Sequence, residues 1–387
     1  MILRKCFGKI SRKIKKIIPR YIKEYIRMYL VYIAQRTKCT EKSKYNHNLI
    51  CAHIDLVKEF KDALYHYSYV YDDSVDMFIN GYLNKTVRPV KLVQPELKEN
   101  DPIVLCIVKD ELERIKLQIE YHRKIGIKHF AYVDNMSCDG TFEWLKKQPD
   151  VSLFSLIETY NAWAKDAYRR QVTDFLGYGR WYLILDADEL FTYPGIETRN
   201  INKYIDFLEN NNIRSAFSPM IDMYSRGKLF EDNIAANEIL DAYCYFDVQT
   251  YEMINRISCY HISGGPRMRL FSLDGDWLSK YALIKSSKEI LMGTHEHFPH
   301  KYNFETKGAI AFLLHYKFLP SDNKKFRENA VSGKYGNEWM YKKYISAIDQ
   351  NPNLSFYYEG SHKLNDSMDL MKINLIDKKF FKKFLAE

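Results

Sequence analysis

The chain has 387 residues, of which 46% are hydrophobic and 28% are charged, a composition typical of a globular protein with its own core. The net charge is +9, but residues 1–38 hold 12 of the 58 Lys and Arg side chains and only one acidic side chain, so the remainder is close to neutral. A near-neutral body argues against nucleic-acid binding, which needs positive charge on the body's own surface.

Residues 1–38 are predicted to form a basic amphipathic helical segment. Apolar residues between Leu3 and Ile17 recur every three or four positions, and Lys and Arg occupy the other faces. Pro19 is expected to break or kink the helix. Because helices of this kind commonly lie on anionic membrane surfaces, we expect the segment to bind there. The alternative is that it packs against the rest of the chain or against a partner.

The remaining sequence divides into three parts. Residues 39–100 are predicted to be partly helical, with a linker near residues 87–101 that contains Pro89 and Pro95. Residues 101–320 are predicted to form the main domain, and residues 321–387 a helical C-terminal extension.

Within the main domain, predicted strands alternate with predicted helices. The strands are residues 103–108, 130–133, 151–156 and 181–185, and the helices include residues 141–147 and 162–176. This alternation is typical of an α/β fold with a mostly parallel sheet that is covered by helices on both faces.

The helix after the first strand carries recognisable start and stop signals. Asp110 precedes Glu113 by three residues, a spacing that predicts a capping box at the beginning of the helix. Gly126 lies where the residue after a helix end is commonly glycine.

Three of the predicted strands end in acidic side chains. The first runs into Lys109, Asp110 and Glu111, the second into Asp134, and the fourth into Asp186-Ala187-Asp188. Because ligands bind at the carboxyl edge of an open parallel sheet, we expect these acids to form one site. Carboxylates gathered together repel one another unless a cation or hydrogen-bond donors offset their charge, and hard oxygen ligands favour Mg²⁺ or Mn²⁺.

Four stretches of sequence resemble bacterial family 2-type glycosyltransferases. They are VLCIVKDELERIKLQIEYHRKIGIKHFAYVDNMSCDGT, GYGRWYLILDADELFTYPG, GGPRMRLF and AIAFLLHYKFL, in that order over about residues 102–320. Many relatives have Asn where this chain has Asp110. The resemblance implies a GT-A fold, which is a Rossmann-like nucleotide-binding fold with a mostly parallel mixed sheet, here with helical flanks.

The resemblance also implies roles for individual residues. Asp134 would bind the base or ribose of a nucleotide sugar, and Lys109, Asp110 and Glu111 would line the same pocket. Lys109 is alternatively a solvated loop charge. Asp188 would bind the metal ion, and Asp186 would contact the ribose or the metal.

A late histidine, His315, would complete the metal site, since GT-A enzymes often supply one. Its apolar surroundings in the sequence alone favour a core histidine. Arg267 or Arg269, after the Gly264-Gly265 turn, could bind phosphate, although this turn is alternatively a plain hairpin turn.

An inverting transfer needs a general base for the acceptor hydroxyl, and Asp276 and Glu296 are the two candidates. The sequence therefore predicts a metal-dependent glycosyltransferase. It would move a sugar from a nucleotide-diphosphate sugar, expected to be a UDP-sugar, to a saccharide or glycolipid acceptor in lipopolysaccharide or capsule synthesis. The alternatives are a haloacid dehalogenase-type phosphohydrolase and a non-catalytic, membrane-attached glycan-binding protein.

The expected location is the cytoplasm, peripheral on the inner face of the cytoplasmic membrane. The seven cysteines form no C-x-x-C pair, which favours a reducing compartment. No run of 18 uncharged apolar residues is present, and the N-terminus lacks the apolar region of a secretory signal.

Overall fold

The computed structural model describes residues 41–387, apart from residues 95, 231–233, 235–237, 257, 274–276, 294 and 332–337. The predicted membrane-binding segment 1–38 and the candidate base Asp276 lie outside the described residues. Within them, no helix combines the length and the apolar character that crossing a bilayer requires.

The strands of the described residues are numbered in chain order. They are β1 (Val87–Lys91), β2 (Ile103–Val108), β3 (His129–Asp134), β4 (Val151–Leu156), β5 (Trp181–Leu185), β6 (Glu189–Thr192), β7 (Ser215–Ala216), β8 (Met220–Asp222), β9 (Tyr245–Phe246), β10 (Tyr251–Asn255), β11 (Tyr260–Gly264), β12 (Leu283–Lys285), β13 (Leu291–Met292), β14 (His297–Phe298), β15 (Phe312–His315) and β16 (His362–Lys363).

The α-helices are numbered in the same way. They are α1 (Glu41–Ala52), α2 (Ile54–Val57), α3 (Lys61–Val70), α4 (Val75–Leu83), α5 (Leu112–Lys124), α6 (Thr141–Lys147), α7 (Lys165–Leu176), α8 (Ile201–Asn210), α9 (Ile239–Ala242), α10 (Gly265–Phe271), α11 (Asp322–Asn329), α12 (Glu338–Gln350) and α13 (Lys378–Phe384). Short 3-10 helices span Lys58–Phe60, Asp72–Ser74, Ala162–Ala164, His300–Phe304 and Ser367–Lys372.

The main sheet has the strand order β1-β4-β3-β2-β5-β12-β7. Strands β4, β3, β2 and β5 are parallel, whereas β1, β12 and β7 join the sheet through antiparallel pairs. The predicted α/β class with a mostly parallel mixed sheet and helical flanks is therefore confirmed. Strands β2, β4 and β5 have the predicted bounds, and β3 extends one residue further at each end.

Helices cover the main sheet on both faces. Alternate side chains of β2 enter two separate cores: Val104 packs with α5 and α8 on one face, and Leu105 packs with α7 on the other. The central strands are nearly continuous apolar runs because both of their faces are buried, so side chains on both faces are apolar.

A second, three-stranded sheet, with the order β6-β15-β8, extends from the end of β5. Strand β15 is its centre, antiparallel to β6 and parallel to β8. In this register His315 lies opposite Glu189 on one side and opposite Asp222 on the other. The small sheet thus brings side chains from three distant segments together.

The start of α5 differs from the prediction. Asp110 has a left-handed backbone (φ 51°), and its carboxylate accepts a hydrogen bond from the backbone N–H of Cys138 at 2.6 Å. Glu111 is the N-cap residue, without a side-chain capping bond, and Glu113 pairs with Lys116 instead. The predicted capping box is therefore wrong, because Asp110 is engaged by the loop after β3. The predicted helix stop is confirmed, since Gly126 follows the helix with φ 106°.

The C-terminal part is packed against the main domain. Strand β16 pairs with β9, and α13 buries Phe381 and Phe384 in the core that also contains α8. At the other end of this region, Asp322 of α11 forms a buried ion pair with Arg114 of α5.

Candidate active site

The acidic side chains after β2, β3 and β5 lie at one edge of the main sheet. In the parallel register Val108 is opposite Asp134, and Cys106 is opposite Leu185, so the three strands end together. Asp110, Asp134 and Asp186 follow from these ends, as the sequence predicts. This is the edge at which open α/β sheets bind ligands.

Asp188 and His315 meet at this edge. The Nε2 atom of His315 lies 3.3 Å from Oδ2 of Asp188, and its Nδ1 atom lies 2.7 Å from Oδ1 of Asp222. Because a carboxylate only accepts hydrogen bonds, Nδ1 donates its proton to Asp222. Asp222 is itself held by Arg267, whose Nε atom is 2.7 Å from its Oδ2.

Neighbouring charges lower the pKa of Asp188 and raise the pKa of His315. Burial opposes ionisation of Asp188, but His315, Lys317 and Arg114 together hold the pKa of Asp188 well below its ordinary value. Burial lowers the pKa of His315, whereas Asp188 and Asp222 raise it by more. His315 is therefore a histidine between two carboxylates and not an isolated core residue.

The donor atoms present fit a divalent cation. Asp188, Glu189 and His315 each offer one ligand atom, and these atoms lie within 4.8 Å of one another. Two carboxylate oxygens with one imidazole nitrogen suit Mn²⁺, which accepts imidazole more readily than Mg²⁺ does. Asp222 fixes the ring so that Nε2 faces Asp188, the arrangement usual for a metal-binding histidine.

Glu189 has other partners in this group. One carboxylate oxygen accepts a hydrogen bond from the backbone N–H of Asp186 at 2.8 Å, and the other lies 2.6 Å from the ammonium of Lys280. Burial raises the pKa of Glu189, although Lys280 opposes this. Asp188 and His315 are thus the better placed pair for a metal.

Asp186 lies in a different charge environment from Asp188. Its Oδ1 accepts a hydrogen bond from Lys165, and its Oδ2 lies 2.7 Å from the ammonium of Lys280. Arg169 is 3.9 Å away. Burial raises the pKa of Asp186, but the three cations lower it well below its ordinary value. The two acids of the D-x-D motif are therefore separated, one among lysines and one beside histidine.

At the end of β3, Asp134 is buried. Its Oδ2 accepts a hydrogen bond from the backbone N–H of Ser137 at 3.1 Å, and no described residue hydrogen-bonds to its Oδ1. Burial raises the pKa of this carboxyl group. Glu111 pairs with Arg114 and Lys325, whereas Lys109 is exposed.

The remaining predicted features are Glu296 and the Gly264-Gly265 turn, and their described contacts are with residues other than Asp188. Glu296 is 1% exposed, accepts a hydrogen bond from Tyr71 at 3.3 Å and lies 3.4 Å from Nε2 of His300. Burial raises its pKa to about 7. The Gly264-Gly265 turn is the junction of β11 and α10, where a Cβ on Gly264 would lie 2.1 Å from the carbonyl oxygen of Thr250. This close approach leaves no room for a side chain at Gly264, and because β11 runs directly into α10, the plain hairpin alternative is wrong.

The sequence did not single out Lys165, Lys280, Asp222 or Lys317. Asp222 ends β8 and is 93 residues from His315, so only the sheet register brings them together. An acid at the end of a short apolar strand was the one available signal for Asp222. Lys165 and Lys280 lie outside the four stretches that resemble the family, whereas Lys317 lies within AIAFLLHYKFL, two residues after His315.

Known proteins resemble this chain only distantly. No protein-family model matches it, and no curated protein matches it in sequence. HddC from Yersinia pseudotuberculosis is 13% identical, with 58% of this chain and 97% of that chain covered and a TM-score of 0.27. The mannosyltransferase PcManGT from Pyrobaculum calidifontis, solved with GDP-Man and Mn²⁺, is 14% identical, with 75% and 86% covered and a TM-score of 0.26.

A 4-diphosphocytidyl-2C-methyl-D-erythritol synthase is 10% identical, with 74% of this chain and 99% of that chain covered and a TM-score of 0.24. Likenesses at these TM-scores establish neither a shared family nor a shared activity. The α/β fold stated above rests on the sheet topology of the chain itself.

Proposed function

We propose that the chain is a metal-dependent glycosyltransferase that uses a nucleotide-diphosphate sugar, of the UDP type, and a saccharide or glycolipid acceptor. The observation that carries this proposal is the meeting of Asp188 and His315 at the carboxyl edge of the sheet, with the ring fixed by Asp222. The four sequence stretches that resemble family 2-type glycosyltransferases support the same function.

Different residues of the chain are proposed to bind different parts of the donor. Asp134 has one buried carboxylate oxygen without a hydrogen-bond partner among the described residues, which suits a ribose hydroxyl or a base N–H. Asp110, Glu111 and Lys109 lie on the neighbouring strand end. Mn²⁺ or Mg²⁺ bound by Asp188 and His315 would offset the negative charge of the diphosphate leaving group. Asp186, held by two lysines, would orient the D-x-D turn and the ribose.

The acceptor hydroxyl needs a general base, and both candidates remain in this proposal. Glu296 has a suitable pKa of about 7, but it is 1% exposed behind Tyr71 and His300. An acceptor could reach it only after these side chains move. This favours Asp276, which lies between β11 and β12 in the sequence. The expected acceptor is a bacterial surface glycan such as lipopolysaccharide or capsule, reached at the membrane through residues 1–38.

The experiment is a hydrolysis assay with a panel of UDP-, GDP-, CDP- and dTDP-sugars, with Mn²⁺, with Mg²⁺ and with EDTA. The expected result is release of the nucleoside diphosphate from one of these donors, abolished by EDTA. Phosphate release from sugar phosphates instead would indicate the phosphohydrolase. Glycan binding without turnover of any donor would indicate the binding protein.

A further inference from the structure

Lys317 is a cation of the Asp188 site without an acidic partner among the described residues. No carboxylate lies within ion-pair distance of its ammonium group, and its described contacts are with aromatic rings. The ammonium lies 5.9 Å from the ring centre of Phe326 on α11 and 5.7 Å from that of Tyr341 on α12. Lys317 follows Tyr316, whose backbone N–H donates to the backbone carbonyl oxygen of Asp188 at 2.8 Å, so the lysine lies beside the Asp188 site.

The neighbouring cations are all engaged by carboxylates. Arg267 pairs with Asp222, Arg114 pairs with Glu111 and Asp322, and Lys165 and Lys280 pair with Asp186. A basic side chain that is mostly removed from water and paired only with rings keeps unused hydrogen-bonding capacity, because an ammonium has three N–H groups to donate. Lys317 therefore differs from every other cation of this group.

We propose that Lys317 binds the diphosphate of the sugar donor. This inference rests on the proposed function and extends it, because it makes the C-terminal helices part of the donor site. The rings of Tyr341 and Phe326 flank the ammonium and restrict its motion, so that less conformational freedom is lost when it meets the phosphates.

The position of Lys317 predicts opposite effects on the affinity for a divalent cation and on the affinity for a diphosphate. Lys317 repels a divalent cation at Asp188 but attracts a diphosphate there. Removing the charge should therefore leave Mn²⁺ binding by the protein alone unchanged or tighter, while it weakens binding of a nucleoside diphosphate. A lysine with only a packing role would change both affinities in the same direction or change neither.

The test compares Lys317→Met, which keeps the chain length, with Lys317→Arg, which keeps the charge. Lys324→Met is the matched control, since its side chain is 89% exposed on α11. Binding of UDP, GDP, CDP and dTDP is measured by calorimetry with saturating Mn²⁺, and Mn²⁺ alone by electron paramagnetic resonance. A thermal melt of each variant verifies folding.

For the nucleoside diphosphate that the wild type binds best, Lys317→Met should raise the Kd by ~10- to 100-fold, the range of a charge-assisted hydrogen bond. Lys317→Arg should recover most of the affinity, and Lys324→Met should match the wild type. The parent nucleoside should bind Lys317→Met and the wild type equally.

An unchanged Kd in folded Lys317→Met overturns the inference and leaves the proposed function intact. An equal loss of nucleoside and of Mn²⁺ binding also overturns it, because the role is then structural. If the wild type binds none of the four nucleoside diphosphates, the proposed function fails, and this inference fails with it.

Discussion

His315 donates from Nδ1 to the buried carboxylate of Asp222, with a distance of 2.7 Å between the two atoms. This contact leaves Nε2 of the ring directed at Asp188 and links the end of β15 to the end of β8. It also means that the orientation of the histidine does not depend on a bound ligand.

His315→Ala should weaken the metal site more than the fold. Asp222 keeps its contact with Arg267 in this variant, so we expect a modest fall in Tm but a rise of at least ~10-fold in the Mn²⁺ concentration for half-maximal donor hydrolysis. A Mn²⁺ titration of activity beside a thermal melt measures both. A lower Tm with an unchanged Mn²⁺ midpoint would show instead that His315 is only a core residue.

Asp188→Asn should abolish most of the activity without unfolding the protein. The substitution removes one formal charge with little change in shape, and a charge-stabilising metal ligand contributes several kcal/mol to the transition state, or at least ~100-fold in rate. The assay is metal-dependent donor hydrolysis, with circular dichroism to verify the fold. Glu113→Gln, on an exposed pair, is the matched control and should retain full activity. Near-normal turnover in folded Asp188→Asn would remove Asp188 from the site.

Lys280→Met should destabilise the protein strongly. The ammonium lies between Asp186 and Glu189, and its loss leaves buried carboxylates with fewer positive partners. Breaking a buried ion pair in this way costs about 3–5 kcal/mol. Urea unfolding measures the loss, with Lys116→Met on the exposed pair with Glu113 expected to cost about 0–1 kcal/mol. Equal stabilities of the two variants would contradict the burial argument.

The buried carboxyl group of Glu296 should make stability depend on pH. Burial raises its folded-state pKa to about 7, although Tyr71 and Arg256 oppose this, whereas the same group in the unfolded chain ionises near its ordinary value of 4.5. Between these values the folded state binds more protons, so its free energy of unfolding falls as pH rises, by up to about 1.4 kcal/mol per pH unit.

Glu296→Gln removes this titration. Relative to the wild type, the variant should therefore gain stability steadily from about pH 4.5 to about pH 7 and show a constant difference above that window. Urea unfolding at a series of pH values measures the difference. A difference that does not change with pH would mean that Glu296 ionises alike in both states.

Deleting residues 1–38 should release the protein from anionic vesicles and leave donor hydrolysis in solution intact. Because the expected attraction is electrostatic, high salt should also weaken the binding of the full chain, since exposed charges are screened within ~10 Å at 0.1 M salt. Vesicle sedimentation at low and high salt measures both effects. Equal sedimentation of the two proteins would assign membrane binding to another part of the chain.

The sequence was most informative where local signals were sufficient. The strand bounds of β2, β4 and β5 followed from apolar runs, and the stop of α5 followed from Gly126. The capping box at Asp110 was wrong because a tertiary contact with Cys138 replaced a local one. Local patterns do not record such contacts between distant segments.

The candidate site shows the same limit. The order of strands and acids indicated one edge, but nothing near Asp186 in the sequence indicates that two lysines would pair with it. Likewise, the pairing of His315 with Asp222 depends on a three-stranded sheet whose strands lie in three separate segments. These contacts depend on how distant strands pair, so they could be identified only from the structure.

The packing of α13 has a consequence for how the chain is made. Arg199 donates to the carbonyl oxygen of Leu385, 186 residues away, and Tyr204 packs edge-on against Phe384. During synthesis the part of α8 that contacts α13 therefore stays uncovered until α13 has left the ribosome, unless another protein shields it. Exposed apolar surface of this kind favours aggregation of incomplete chains. The yield of soluble protein on expression should therefore depend on chaperones that bind nascent chains.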